Sequence, residues 1–180
     1  MSTQVNDSIF DLSQESYNEL FIRFETKMTF KGYTIQEWNI VLDLKDLPPD
    51  FSLNDLERYN LKVTNQINTI SKNFALASAN YTGLKKSVER ALMIAKQTIL
   101  DELEEYNSTI DNPASKKRAP SNDKLEAEAY NRTLKLQLDL SVSEIFYSFW
   151  EVQWKRINLI NTRLTSLSVM KNVEFKTSTM

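Results

Sequence analysis

The side chains in this sequence best suited to chemistry are cations. Lys116, Lys117 and Arg118 stand together between Pro113 and Pro120, Lys96 precedes them, and Lys124, Arg132 and Lys135 follow. Phosphate backbones reward such density, because each phosphate neutralised by Lys or Arg releases condensed counterions. Tyr106 and Tyr130 flank the group, and a phenol ring is a face on which an unpaired base can stack. Lys96, Lys116, Lys117, Arg118, Lys124 and Arg132 are therefore the residues expected to contact nucleic acid. The competing reading is a loop kept soluble by Lys and Arg in a chain whose net charge is −2.

Other chemistry is largely excluded. The chain has no Cys and no His, which removes disulfides, thiolate zinc sites, Cys nucleophiles and imidazole-dependent triads. Its two glycines, Gly32 and Gly83, are too few and too far apart for a phosphate-cradling loop. Acidic residues cluster at Asp101, Glu102, Glu104 and Glu105, and again at Glu126 and Glu128. Paired carboxylates can bind hard cations or exchange protons, but a di-metal helical bundle needs Glu-Xaa-Xaa-His, so a solvated helix face is the better reading. No enzyme activity, metal or cofactor is expected. Trp150 and Trp154 lie one helical turn apart beside Lys155 and Arg156. They suit a core or a subunit contact better than a base-stacking platform.

Charge is uneven along the chain. Residues 1–60 carry 5 basic and 11 acidic side chains, and residues 61–180 carry 17 and 13. An acidic head thus precedes a mildly basic body. No apolar run approaches the roughly 20 residues of a membrane span, and the polar opening lacks a signal-peptide pattern. These features predict no membrane association and a cytoplasmic location.

The elements that must position the cations follow from periodicity. Ser16 and Glu19 have capping-box spacing, and a first helix from there would end at Gly32. Thr34 and Glu37 repeat the spacing ahead of a second short helix, with a strand over 33–44 as the alternative. Pro48 and Pro49 close this acidic segment, residues 1–51. Ser52 and Asp55 can cap a new helix. From Leu56 the apolar residues recur at steps of four and three: Val63, Ile67, Ile70, Phe74, Ala77, Tyr81, Leu84, Val88, Ala91, Ala95, Ile99, Leu103, Tyr106. A period of 3.5 held this long is a coiled-coil seam. It predicts one helix over 52–107, then a basic, proline-containing loop over 108–122. Asp123 and Glu126 can cap a second long helix, 123–172, before a frayed tail at 173–180. The seam of that helix reads Leu138, Val142, Ile145, Phe149, Val152, Ile157, Ile160, Leu164 and Leu167. Two such helices joined by one loop fold back on each other. The fold class is all-α: a long antiparallel helical hairpin with a small N-terminal helical segment. Helix two also carries Phe146, Trp150 and Trp154 beside its seam, more apolar surface than one partner covers. These three residues are expected at an oligomer or partner interface, and the chain is expected to form a homo-oligomer.

The strings KKRAPSNDKLEAEAYNRT (116–133) and EIFYSFWEVQWKRINLINTRLTSLSVM (144–170) resemble the UvsY-like recombination mediators of tailed phages. The matching positions are Lys117, Arg118, Asp123, Glu126, Glu128, Phe146, Trp150 and Arg163, and AKQTILDELEEY (95–106) is similar to the end of the family's first long helix. The similarity covers roughly residues 60–172. It implies a helical, ring-like oligomer that binds single-stranded DNA and helps load a recombinase onto DNA coated by single-strand-binding protein, in the host cytoplasm. The family's basic cluster maps onto Lys96, while its second basic position is Thr98 here. The alternative function is a coiled-coil structural protein or adaptor, of virion assembly or regulation, that binds protein and no nucleic acid.

Overall fold

The computed structural model describes residues 26–45, 47 and 50–178, with side chains through Lys171. The chain is mostly helical, and its two long helices pack against each other. It forms two compact units. One holds residues 68–156, and the other holds the described residues on either side.

Among the described residues, the unit that holds the N-terminal segment carries a small β-ribbon. Strands β1 (Thr29–Phe30) and β2 (Tyr33–Thr34) pair antiparallel, with Phe30 opposite Tyr33. The two connecting residues, Lys31 at φ 53° and Gly32 at φ 83°, are both left-handed. A tight hairpin turn whose twist matches its strands requires this. Gly32 thus serves a hairpin rather than the end of a helix, and the helical residues 26 and 27 stop before it. The Ser16 capping position lies outside the described residues. Helix α1 (Ile35–Val41) starts at Thr34 with a complete capping box: the Glu37 carboxylate accepts from the Thr34 backbone N–H at 2.7 Å, and the Glu37 N–H donates to the Thr34 hydroxyl at 3.2 Å. The short helix expected here is thus present, and of the alternative strand over 33–44 only Tyr33 and Thr34 are extended. The Trp38 indole N–H donates to the Phe30 carbonyl at 2.9 Å, which ties α1 to the ribbon. Met28, Phe30, Ile35, Trp38 and Leu42 are buried there.

Helix α2 runs from Leu53 to Ser108. Ser52 and Asp55 cap each other's backbone at its start, at 3.0 and 3.2 Å. Its expected seam is the buried side: Leu56, Val63, Ile70, Ala77, Val88, Ala95 and Ile99 are all buried. After a loop, helix α3 (Asn122–Arg132) leads into helix α4 (Leu134–Ser178). The expected single helix is interrupted at Thr133, which has φ −106° and ψ 7°. Its hydroxyl donates back to the Ala129 carbonyl at 2.9 Å, the back-bonding that bends helices at Ser and Thr. The seam of α4 also differs from expectation. Val142, Phe146, Trp150, Gln153, Ile157 and Leu164 are buried, whereas Ile145 and Phe149 are half-buried and Val152 is 59% exposed.

Within residues 68–156 the helices run antiparallel. Phe74 stacks on Tyr147 and Trp154, with centroids 5.6 and 6.4 Å away, and Tyr81 stacks on Tyr147 at 5.3 Å. Nearer the loop, Ala95, Ile99 and Ala129 form a core cluster edged by Leu92 and Leu125. Ala95 of α2 and Ala129 of α3, both small, meet in this cluster. Asn73 and Gln153, next to the aromatic stack in sequence, are buried polar residues, a device that sets register between paired helices at some cost in stability.

Candidate nucleic-acid interface

The loop between α2 and α3 is short of regular structure and rich in local hydrogen bonds. Asn112 caps a single 3₁₀ turn, Pro113–Ser115, by accepting from the Ala114 N–H at 3.0 Å. The decisive anchor is Asn107. Its Oδ1 accepts from the Lys117 N–H at 2.8 Å, and its Nδ2 donates to the Lys117 carbonyl at 2.9 Å. One amide side chain thus pairs with one peptide unit ten residues away, as a neighbouring strand would. The Lys117 ammonium lies 4.2 Å from the centre of the Tyr106 ring, within cation–π range. The backbone of the basic triplet is therefore pinned at its middle residue. Lys116, Arg118 and Lys124 are exposed, and no ion pair involves them among the described residues. Tyr106 and Tyr130 are exposed nearby.

The other two expected contacts are engaged elsewhere. The Lys96 ammonium pairs with Glu126 at 2.8 Å. Arg132 makes a two-pronged bond to Glu102, at 2.8 and 2.7 Å, and a third to Glu128 at 2.9 Å. Hydrogen bonding to Arg132 lowers the Glu102 pKa below its ordinary value, and hydrogen bonding to Lys96 does the same for Glu126. Glu102, then Glu128, raises the Arg132 pKa above its own. Glu126 is therefore an ion-pair partner rather than a capping residue. Ser121 occupies the N-cap of α3 and makes no side-chain capping bond. Residues 93–135 carry seven cationic and eight anionic side chains, so local pairing, rather than net charge, decides which cations face solvent.

Phe146 and Trp150 were expected at an interface and instead lie in the chain's own core; Trp150 is 0% exposed. They share the buried side of α4 with Gln153 and Ile157, while Val152 is exposed and Phe149 half-buried. Trp154 is half-buried and stacked on Phe74. Sequence reasoning missed the Asn107 anchor and read Glu102 as part of a solvated acidic face rather than as the partner of Arg132. The Arg132–Glu128 pair has the four-residue spacing that a helix reveals. The Arg132–Glu102 pair spans thirty residues and depends on the register of the hairpin. Among the described residues no acidic cluster could hold a metal ion, and no helix is long and apolar enough to cross a membrane. No protein-family model, curated protein or solved structure matches the chain. The likeness to UvsY-type mediators rests on the residues quoted above.

Proposed function

We propose that this chain is a non-catalytic protein that binds single-stranded DNA through the α2–α3 loop. The observation that carries this reading is the pinned basic triplet. Lys116, Lys117 and Arg118 stand on one short loop whose centre is fixed by Asn107 and Tyr106, and no carboxylate among the described residues neutralises them. A fixed loop loses less conformational freedom on binding than a mobile one. Lys124 extends the surface, and Tyr130 offers a ring for a base. The resemblance supplies the wider role: a phage recombination mediator, acting as a homo-oligomer in the host cytoplasm with a recombinase and single-strand-binding protein as partners. Lys96 and Arg132 are outside the contact in the conformation described.

The test is fluorescence anisotropy with a labelled oligo-dT strand at several salt concentrations. Each phosphate contact to a single strand contributes about 0.7 to the slope of log affinity against log salt. Replacing Lys116, Lys117 and Arg118 with Ala should therefore flatten that slope by about 2. An unchanged titration would place the contact elsewhere.

A second reading has its own observation. Met93 is 73% exposed and Ile94 57% exposed on α2, and Val152 is similarly open on α4. Large apolar side chains facing water suit a protein partner. A protein that ignores oligo-dT at low salt, yet retains a specific partner lost on Met93→Ser and Ile94→Ser substitution, would be an adaptor.

A further inference from the structure

The cations expected at the interface divide sharply. Four have no carboxylate partner among the described residues, while two, Lys96 and Arg132, are held by carboxylates. The pairing crosses between helices. Lys96 and Glu102 lie on α2, whereas Glu126, Glu128 and Arg132 lie on α3. The Glu102 carboxylate meets the Arg132 guanidinium with two parallel bonds, at 2.8 and 2.7 Å. A phosphate takes the same fork in the same geometry, so these carboxylates stand where a backbone phosphate would.

Helix α3 is lightly held. It has only eleven residues, too few for an isolated helix to be stable in water. Ala129 is its one buried residue. Among the described residues, it is held to α2 by Ala129, the edge residue Leu125 and the two ion pairs. Its C-terminal end is the irregular residue Thr133, whose N–H is shared between the Ala129 and Tyr130 carbonyls at 3.2 and 3.1 Å. Displacement of α3 about Thr133 would part Lys96 from Glu126 and Arg132 from Glu102 together. It would leave Arg132 only its same-helix partner Glu128.

We propose that Glu102 and Glu126 act as internal phosphate substitutes that keep Lys96 and Arg132 from a single strand while α3 is docked, so that undocking α3 frees Lys96 and leaves Arg132 only its exposed same-helix pair with Glu128, which a phosphate can displace. This regulation rests on the reading that the neighbouring loop binds single-stranded DNA. The intramolecular acids compete at high effective concentration, so the open loop cations engage first and the masked pair only when α3 moves.

The experiment uses the full chain and a labelled oligo-dT strand. The triple variant Glu102→Gln, Glu126→Gln and Glu128→Gln removes the internal competitor and keeps side-chain size. A matched variant, Glu104→Gln, Glu105→Gln and Asp111→Asn, makes the same change in net charge at acids with no ion pair to either cation. The first should steepen the salt slope by about 1.4, two single-strand contacts at about 0.7 each, and the second should leave the slope unchanged. Adding Lys96→Ala and Arg132→Ala to the first variant should abolish its gain. The same two substitutions in the native chain should change affinity less than about twofold, since paired surface charges contribute little. Far-UV circular dichroism checks that each variant keeps its helices. If the native chain binds and the two triple variants behave alike, masking is wrong and the loop reading stands. If the native chain fails to bind while the first variant binds through Lys96 and Arg132, masking is right and the loop reading is wrong. If neither binds, both fall.

Discussion

Trp150→Ala offers the sharpest test of the fold. The indole is 0% exposed, and its neighbour Phe149 meets it edge-on at 5.1 Å. A buried Trp removes on the order of 150–250 Å² from water. At about 25 cal/mol per Å² that area corresponds to roughly 4–6 kcal/mol. A real unfolded chain already hides part of this surface, and large-to-small aromatic substitutions cost about 3–5 kcal/mol. We therefore expect Trp150→Ala to destabilise the chain by about 3–5 kcal/mol, measured by urea unfolding followed by far-UV circular dichroism. The loss should be independent of protein concentration, because the packing lies within one chain. Val152→Ala, two residues along the same helix and 59% exposed, should cost under about 0.5 kcal/mol. A Trp150 loss below about 1 kcal/mol, or one that grows on dilution as subunit contacts do, would refute the placement of Trp150 in the intramolecular core.

Three further outcomes are expected. Gly32→Ala should destabilise the ribbon by about 1–2 kcal/mol, the usual cost of a left-handed non-glycine residue, although no atom stands within 4 Å of the added methyl; thermal melts measure it. Asn107→Ala should speed trypsin cleavage at Lys116, Lys117 and Arg118 several-fold, because it removes both bonds that hold the loop, and mass spectrometry would identify the cut sites. Glu37, Asp55, Glu102 and Glu126 all have lowered pKa values, from Thr34, Ser52, Arg132 and Lys96 respectively. A carboxylate depressed in the folded state stabilises above its unfolded pKa and loses that contribution as pH falls through the folded value. Melting temperature should therefore be nearly flat from pH 8 to 5 and fall below about pH 4; a stability that rises on acidification would contradict these pairings.

The seam of α2 was legible because its apolar residues form one stripe. Val63, Ile70 and Ala77 repeat at sevens with polar neighbours, and they are the buried positions. Helix α4 was ambiguous for the opposite reason. Ile145, Phe149 and Val152 make one apolar stripe and Phe146, Trp150 and Ile157 another, and only the register against α2 selects the second. Gly32 could be recognised as a punctuator, but a helix end and a hairpin turn both use a positive φ, and the pairing of Phe30 with Tyr33 decides between them. At the interface, the basic triplet and its loop could be read directly, since prolines and charge runs are local signals. The loss of Lys96 and Arg132 to carboxylates thirty residues away in the chain could not. It depends on how the hairpin aligns, which no local pattern records.

The Asn107 clamp has a consequence for where such a chain could be made. Asn107, Ser108 and Thr109 form an acceptor triplet for N-linked sugar, and Nδ2, the atom an oligosaccharide would be attached to, is the one that donates to the Lys117 carbonyl at 2.9 Å. Glycosylation would set a bulky glycan in the space the loop backbone occupies. A secretory route would thus dismantle the anchor, whereas synthesis away from the glycosylation machinery leaves it intact.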